Sequence, residues 1–236
     1  MATPRALVFD VFGTVVDWRT SVIRAGEEVS RRHGLAVDWP AFADEWRRDG
    51  YLAGIGRVRS GEWPWLRVDT IHRLKLDELL PKSGVSGLDE AEVDDLNRVW
   101  HRLEPWPDSV PGLTRLRTRF TLGPLSNGDF ALLTNMAKRA GLPWDCILAA
   151  ELFGHYKRDP EVYLGAARLL DLRPDEVMLV AAHVGDLEGA RAVGLRTGYV
   201  SRPLEYGPDT QLEAMPAEPF DVVAADFGDL ATQLGC

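Results

Sequence analysis

The sequence predicts an α/β protein in which an all-helical segment is inserted into a doubly wound parallel sheet. Two patterns carry this prediction. Short apolar runs alternate with helix-like stretches over the second half of the chain, as in strands joined by crossover helices. Between Asp17 and about Leu103, apolar residues instead recur at the spacing of a helix face. We therefore expect residues 1–16 and 104–236 to form the sheet domain and residues 17–103 to form a helical cap domain.

Five short apolar runs are the predicted strands of the sheet. They are Ala6–Phe9, Phe120–Leu125, Cys146–Ala149, Val177–Ala182 and Thr197–Val200. Helix-like stretches such as Pro160–Leu170 and Leu187–Val193 separate the later runs. Strands that alternate with helices in this way are typical of a parallel sheet with helices on both faces.

The segment from residue 17 to residue 103 carries helical signals instead. Its apolar residues follow helical spacing at Trp65, Val68, Ile71 and Leu74, and again at Val93, Leu96 and Trp100. Asp38 before Pro40 and Asp89 before Glu92 are typical of helix starts. Six of the eight tryptophans lie in this segment, and we expect most of them in its core: Trp18, Trp39, Trp46, Trp63, Trp65 and Trp100. The proline-rich run from Glu104 to Pro107 marks the second hinge, because proline resists helix continuation.

The charge balance bears on the kind of partner. The chain has 27 Lys and Arg against 36 Asp and Glu, a formal net charge of -9. A repulsive background of this sign disfavours nucleic acid as a partner. A small anionic substrate remains compatible, since a few local cations can dominate the field inside a pocket.

Cysteine usage and hydropathy bear on location. Cys146 and Cys236 are the two cysteines, so neither a disulfide framework nor a zinc cluster is predicted. No apolar run reaches the ~18 residues that a membrane helix needs, and the first residues lack the pattern of a secretion signal. We expect a cytoplasmic protein that spans no membrane.

Four groups of polar residues directly follow predicted strands or precede helices of the sheet domain. They are Asp10 to Thr14, Ser126 to Gly128, Lys157 with Pro160 and Tyr163, and His183 to Asp186. In open parallel sheets, ligands bind outside the carboxyl ends of the strands. Each group alone also fits ordinary helix capping or turn formation, but their joint occurrence predicts an active site.

These motifs resemble those of the haloacid dehalogenase superfamily, in which an aspartate nucleophile, a Ser or Thr, a Lys and an acidic residue follow in the same order. The resemblance spans nearly the whole chain and implies a Rossmann-like core with a helical cap. In the phosphatase branch, a second Asp stands two positions after the nucleophile and protonates the leaving group. Phe12 occupies that position here and cannot donate a proton. The substitution favours a leaving group that needs no proton, such as halide.

The more specific resemblance is to the L-2-haloacid dehalogenases, through the runs Phe9 to Thr14, Leu125 to Gly128 and Lys157 to Tyr163. It implies that Asp10 attacks the carbon bearing the halogen and forms an ester, which water then hydrolyses. Thr14 would belong to the catalytic group. Val11 and Phe12 would belong to the substrate site.

The same resemblance gives roles to the other polar groups. Ser126 and Asn127 would hold the substrate carboxylate, which Asp10 would otherwise repel. Lys157 would keep Asp10 ionised, and Tyr163 would orient a carboxylate or the lysine. Arg47 follows Trp46 in the cap, where this family places an arginine that cradles the halide or the carboxylate. The alternative for Lys157 and for Arg47 is an ordinary solvated side chain.

The run from Ala181 to Asp186 departs from the family pattern. Better-known members carry Ser-Ser-Asn before an aromatic residue and the Asp, whereas this chain has Ala181, Ala182, His183 and Gly185. Asp186 would position or activate the hydrolytic water, and His183 would orient that water or touch the substrate. A structural histidine is the alternative. We predict a small pocket suited to haloacetates, including fluoroacetate.

Three alternative functions stay open at this point. A magnesium-dependent phosphatase would use Asp10 and Asp186 as metal ligands and hold phosphate with Ser126 and Lys157. A phosphonate hydrolase would need a cap lysine, for which Lys75 and Lys82 are available. A binding module without activity is the third alternative. The dehalogenase hypothesis implies no cofactor and no metal, and it allows a homodimer.

Overall fold

The computed structural model describes residues 4–208, 215 and 218–236. Its main sheet has six strands in the order β5, β4, β1, β6, β7, β8, and every neighbouring pair is parallel. Their bounds are β1 Ala6–Phe9, β4 Thr121–Ser126, β5 Leu148–Ala149, β6 Val177–Ala181, β7 Arg196–Val200 and β8 Val222–Ala224. From β1 the chain adds β4 and β5 toward one edge of the sheet. It then returns to add β6, β7 and β8 on the other side of β1. The predicted doubly wound α/β fold is therefore confirmed.

β1 lies at the centre of the sheet, where the strand order reverses. Phe9 aligns with Pro124 of β4 on one side and with Val180 of β6 on the other. All four residues of β1 are fully buried, which explains the continuous apolar run in the sequence. Asp10, the next residue, is thereby held at the crevice where open α/β sheets bind their ligands.

Four predicted strands end within one residue of their predicted limits, whereas β5 is shorter. Of the run Cys146–Ala149, only Leu148 and Ala149 pair with β4. The edge strand β8 was not predicted, and its central residue Val223 is 47% exposed. A three-residue edge strand has too little alternation or burial to stand out from a loop.

Helices cover both faces of the sheet. They are α6 Ser109–Leu116, α7 Phe130–Ala140, α8 Pro160–Leu169, α9 Val184–Ala192 and α10 Phe227–Gln233. The helix α9 begins three residues earlier than the predicted start at Leu187. Buried Val184 already packs against the sheet, so this helix places Asp186 in its first turn.

The helical segment lies between two short strands, β2 Val16–Asp17 and β3 Glu104–Pro105, which pair antiparallel. Its helices are α1 Trp18–His33, α2 Trp39–Glu45, α3 Ala53–Arg59, α4 Val68–Lys82 and α5 Glu90–Asn97, with a π-helical stretch Trp46–Leu52 and a 3-10 turn Arg98–Arg102. Both predicted helix starts are present, since Asp38 caps α2 and Asp89 forms a capping box with Glu92 on α5. The division into two domains at residues 17 and 103 stays a prediction.

The buried face of α4 differs from the predicted one. Val68 and Ile71 are buried, but Leu74 is 50% exposed, and Trp65 precedes the helix. After Ile71 the buried positions are His72, Leu76, Leu79 and Leu80. A helix of 3.6 residues per turn needs steps of four as well as three, so a strict three-residue repeat leaves the buried face.

Four of the six tryptophans of this segment are buried, as predicted for the majority, whereas Trp63 and Trp65 are half-buried. Trp18, Trp46 and Trp100 pack together beside the carboxyl edge of the sheet, with Trp18 stacked on Trp100 at 6.1 Å. Such rings supply large rigid apolar area.

Direct bonds join the helical segment to the sheet. Asp129, before α7, accepts hydrogen bonds of 2.9 Å from the backbone N–H groups of Val68 and Asp69 at the start of α4. Tyr156 donates to the carbonyl of Leu66 at 2.6 Å. These bonds fix the helices over the carboxyl ends of the strands. Among the described residues, no helix combines the length and apolarity needed to cross a membrane.

Candidate active site

Asp10 lies at the centre of the site, 8% exposed and directly after β1. Its backbone N–H donates to Val180 of β6, which prolongs the sheet by one bond. Its Oδ2 accepts from the Thr14 hydroxyl at 2.7 Å, and that hydroxyl in turn accepts from the Ala182 backbone at 2.9 Å. Thr14 thus ties Asp10 to the loop that follows β6.

A lysine bridges Asp10 to a second carboxylate. Lys157 Nζ lies 2.8 Å from Asp10 Oδ1 and 2.6 Å from Asp186 Oδ2. The Tyr163 hydroxyl donates to the other Asp186 oxygen at 2.7 Å. Burial opposes the charge of Lys157, but the two carboxylates outweigh it and raise its pKa above the ordinary value. The predicted groups Asp10, Lys157, Asp186 and Tyr163 therefore meet in one buried network.

A histidine contacts the other oxygen of Asp10. His183 Nδ1 lies 3.0 Å from Asp10 Oδ2, and its Nε2 lies 3.0 Å from Glu205 Oε2. Burial opposes protonation, yet the charge of Glu205 and the bond to Asp10 raise the pKa of His183 to about 10. Burial also raises the pKa of Asp10, but Lys157 and His183 hold it well below its usual range. Asp10 is thus ionised between two cations.

Glu205 was not identified from the sequence. It is 5% exposed and lies in the loop after β7, at the same sheet edge as the other groups. The loop is held by Arg202, whose Nε donates to the Thr14 carbonyl at 2.8 Å and whose other nitrogens form a bidentate pair with Asp108. Its position after the predicted strand Thr197–Val200 was a usable signal, because ligands bind at strand carboxyl ends.

The Glu205 carboxylate is held by Trp18 as well as by His183, in a space that Gly13 leaves open. The Trp18 indole N–H donates to its Oε1 at 3.1 Å. Gly13 leaves the space it occupies, since a Cβ on Gly13 would lie 2.1 Å from Oε1. Gly13 also has φ +91°, a conformation that side chains rarely adopt. The turn after Asp10 therefore requires glycine for two independent reasons.

A cavity of about 440 Å³ opens over these groups, between the sheet edge and the helical segment. Among the predicted residues, its walls include Asp10, Arg47, Asn127, Lys157, His183 and Asp186. Tyr51, Arg158 and Tyr206, which were not predicted from the sequence, also line it. The cavity is the place where a small substrate would meet Asp10.

Arg47 is a buried cation on the cavity wall, 5% exposed, in the π-helical stretch. Its guanidinium carbon lies 4.5 Å from the Tyr51 ring centre, 5.3 Å from that of Trp18 and 5.9 Å from that of Phe12. Its Nε and Nη1 have no hydrogen-bond partner among the described residues. A buried donor without a partner costs roughly 1–3 kcal/mol, so this group is prepared for an anion.

The other predicted substrate residues take different positions. Asn127 lines the cavity, and its Oδ1 accepts from the Lys157 backbone N–H at 2.8 Å, which positions the lysine. Ser126 is 1% exposed, and its Oγ accepts from the Gly128 backbone. Val11 and Phe12 are 1% exposed, and Phe12 packs edge-on against Tyr51. The Ser126 hydroxyl retains its own proton to donate.

Arg158 fills the space beside Gly185, the glycine that departs from the family pattern. A Cβ on Gly185 would lie 2.7 Å from the Arg158 guanidinium carbon. Arg158 therefore occupies the volume next to Gly185 where a side chain would otherwise project, and it lines the cavity. This places a further cation on the cavity wall.

The donor groups here do not form a metal cluster. Among the described residues, no group of three or more His, Cys, Asp or Glu side chains has the arrangement of a metal site. The Asp10 oxygens face Lys157 and His183 instead. Of the cap lysines considered above, Lys82 lies 2.6 Å from Glu45 and Lys75 lies 2.8 Å from Glu78, and neither lines the cavity.

Comparisons with known proteins agree with this arrangement. The family model for haloacid dehalogenase-like hydrolases matches residues 4–194. An (S)-2-haloacid dehalogenase 1 from Pseudomonas sp. (strain CBS-3) is 30% identical over 215 residues, which is 86% of this chain and 88% of that protein. The fold and the motif resemblance predicted from the sequence are thereby confirmed.

Two solved structures are similar over nearly their whole length. A defluorinating L-2-haloacid dehalogenase superposes with a TM-score of 0.94 at 47% identity, covering 99% of this chain and 96% of its own. Another L-2-haloacid dehalogenase has a TM-score of 0.92 at 48% identity and covers 98% of each chain. The chain therefore belongs to the family of haloacid dehalogenase-like hydrolases.

Proposed function

We propose that this protein is a hydrolytic dehalogenase that converts small 2-haloacids to 2-hydroxyacids through an ester on Asp10. The proteins similar to this chain support this reaction, because they are described as (S)- or L-2-haloacid dehalogenases. The observation that carries the proposal is the ionised Asp10 carboxylate, buried between two cations and open to a small cavity. A carboxylate in that state is a nucleophile.

In the first half of the reaction, an Asp10 oxygen attacks the carbon that bears the halogen. A C–O bond forms as the carbon–halogen bond breaks, and the halide leaves with the bonding electron pair. Attack opposite to the halide inverts a chiral carbon. No proton is required for chloride or bromide, which agrees with a phenylalanine at position 12, where a phosphatase needs an acid.

In the second half, water attacks Cγ of the Asp10 ester, and the bond between Cγ and the substrate oxygen breaks. Lys157 Nζ, 2.8 Å from Oδ1 in the resting site, would stabilise the negative charge that develops there. The ammonium is preorganised, since Asp186 and the Asn127 contact hold the lysine in place. The reaction uses this chain's side chains and water, without an organic cofactor.

Binding an anionic substrate next to Asp10 requires a compensating cation. Two unit charges 4 Å apart near a protein surface repel by about 4 kcal/mol, which is roughly a thousandfold in affinity. Arg47 lines the cavity, and two of its buried nitrogens have no hydrogen-bond partner in the part of the chain that the structure describes, so its guanidinium would bind the substrate carboxylate or the departing halide. Asn127 and Ser126 would supply further donors.

We propose haloacetates, including fluoroacetate, as preferred substrates. Tyr51 and Arg47 line the same cavity as Asp10, with the Arg47 guanidinium carbon 4.5 Å from the Tyr51 ring centre, and these bulky side chains limit the room for a larger substrate. One of the two similar structures is that of a defluorinating enzyme, which supports a small haloacid with a poor leaving group. A cytoplasmic location and a homodimer stay predictions.

The test measures halide release from fluoroacetate, chloroacetate, 2-chloropropionate and longer 2-haloacids, beside phosphate release from phosphate esters, each with and without EDTA. We expect EDTA-insensitive halide release that is strongest with haloacetates and abolished in Asp10→Asn. Asp175→Asn, which changes an exposed carboxylate outside the cavity, is the matched control. Metal-dependent phosphate release without halide release would contradict the proposal. Preference for the longer acids would contradict only the proposal of a small pocket and would leave the dehalogenase function standing.

A further inference from the structure

His183 is placed between two carboxylates, with one ring nitrogen at each. Nδ1 lies 3.0 Å from Asp10 Oδ2 and Nε2 lies 3.0 Å from Glu205 Oε2. A neutral imidazole has one N–H and would point a lone pair at one of these oxygens, so the resting ring carries both protons. The ring also lines the cavity beside Asp10. It is therefore a proton donor and acceptor at the reacting carboxylate.

We propose that His183 and Glu205 form a proton-transfer pair in which His183 Nδ1 takes the proton of the hydrolytic water while Glu205 holds the Nε2–H. This inference rests on the proposed dehalogenase function. It assigns a role to Glu205, a buried side chain whose carboxylate the first half of the reaction does not use.

Ester formation changes the charges that face His183. In the resting site these are the carboxylates of Asp10 and Glu205, with the cations Lys157 and Arg47 nearby. The ester consumes the negative charge of Asp10, which is one of the two carboxylates that stabilise the imidazolium. Lys157 remains charged beside it. The Nδ1 proton is then released to solvent, and one halide ion leaves in the same half of the reaction.

The neutral ring then serves the hydrolytic step. Water gives one proton to Nδ1 as its oxygen bonds to Cγ of Asp10. The bond between Cγ and the substrate oxygen breaks, and the second water proton passes from the new Asp10 carboxyl group to the departing alkoxide. The products are a hydroxyacid, the Asp10 carboxylate and the imidazolium, so the resting site is restored. Each turnover releases one halide and one proton.

Glu205 determines which nitrogen is the base. By accepting from Nε2, it leaves the lone pair of the neutral ring on Nδ1, toward Asp10. The Trp18 indole N–H holds the Glu205 carboxylate, which occupies the space that Gly13 leaves open. Asp186 is less suited to this task, because its two oxygens already accept from Lys157 and from Tyr163. Its role in this mechanism is to hold the lysine.

Rapid-quench single turnovers with chloroacetate test the proposal, with halide and the Asp10 ester measured by ion chromatography and peptide mass spectrometry. In His183→Gln we expect a stoichiometric burst of halide and a carboxymethyl ester that accumulates on Asp10. Its hydrolysis should be about 10²–10⁴-fold slower, which is the typical contribution of a general base. His183→Ala, which also removes the base, repeats the measurement should the glutamine variant fold poorly.

The pH dependence separates proton transfer from positioning. Ester hydrolysis in the native protein should rise with pH to a plateau, and the rise should disappear in His183→Gln. Glu205→Gln should move the inflection to lower pH, because a carboxylate partner favours the protonated ring. His33→Gln is the matched control, since His33 forms a similar pair with Glu92 at 2.7 Å outside the cavity.

Two failures can be told apart. If neither the native protein nor His183→Gln releases halide, the proposed dehalogenase function is wrong. If halide is released but His183→Gln hydrolyses the ester at the native rate, the proton-transfer pair is wrong. An inflection that does not move in Glu205→Gln also contradicts it.

Discussion

The two oxygens of Asp10 face cations of different kinds. On one side, Lys157 shares its ammonium with Asp186, which Tyr163 holds from behind. On the other side, His183 shares its ring with Glu205. The lysine side chain is 6% exposed and the histidine side chain 20%. The ammonium is a fixed charge, whereas the imidazolium depends on the carboxylates around it, so one side provides charge and the other an exchangeable proton.

Removal of the fixed charge is expected to have the largest effect. In Lys157→Met, Asp10 and Asp186 are left as buried carboxylates without the cation between them. Breaking a buried ion pair costs about 3–5 kcal/mol of unfolding free energy, and loss of the charge that favours the reaction should lower halide release about 10³-fold. Urea unfolding and halide assays measure both.

Lys82→Met is the control for this variant, because Lys82 is 60% exposed and paired with Glu45. We expect a change of at most about 1 kcal/mol there. If Lys157→Met were as stable as Lys82→Met, Lys157 would not be the fixed charge that stabilises the two buried carboxylates.

The histidine side should make stability depend on pH in a specific window. Its pKa is raised from 6.5 to about 10 in the folded protein, so its contribution is complete below pH 6.5 and is lost as the pH rises through about 10. The difference in unfolding free energy between the native protein and His183→Gln should therefore shrink over this window, on the order of a few kcal/mol. Denaturant curves at several pH values measure it.

The carboxylates in contact with the ring do not titrate in this window, because the pKa values of Asp10 and Glu205 are lowered. The pKa of Lys157 is raised above its ordinary value, so this side chain loses its proton only at higher pH. A difference between native protein and His183→Gln that stays constant from pH 6.5 to 10 would show that the ring is not held as an imidazolium.

The smallest expected effect concerns the bond behind the lysine. Tyr163→Phe removes the 2.7 Å hydrogen bond to Asp186 but leaves Lys157 paired with both carboxylates. We expect a loss of about 1 kcal/mol in stability and a fall in kcat of about tenfold or less, measured by the same unfolding and halide assays. An effect as large as that of Lys157→Met would place Tyr163 in the chemistry rather than in positioning.

Much of the fold was predictable because the central strands are buried on both faces. Continuous apolar runs as short as Ala6–Phe9 and Val177–Ala181, in a chain with helices between them, are typical of inner parallel strands. The edge strand Val222–Ala224 was missed, because short half-exposed strands carry little pattern. The error at Leu74 arose because a three-residue step was applied to a helix of 3.6 residues per turn.

The site was predictable where residues follow strands in motifs, and less so elsewhere. Asp10, Lys157, His183 and Asp186 are brought together as expected, although their catalytic roles stay predictions. Glu205 was missed because its loop has no motif, and its relation to Gly13 exists only in three dimensions. Arg158 was missed for the same reason, because it occupies the space that Gly185, which has no side chain, leaves open.

The claim that Asp10 becomes covalently bonded to the substrate carbon is tested most directly by isotope transfer. Excess protein is given chloroacetate for one turnover in water labelled with heavy oxygen, and the peptide that contains Asp10 is analysed by mass spectrometry. We expect one labelled oxygen in the Asp10 carboxylate and none in the hydroxyacid. Label in the hydroxyacid and none on Asp10 would mean that water attacks the substrate directly, which contradicts the ester mechanism.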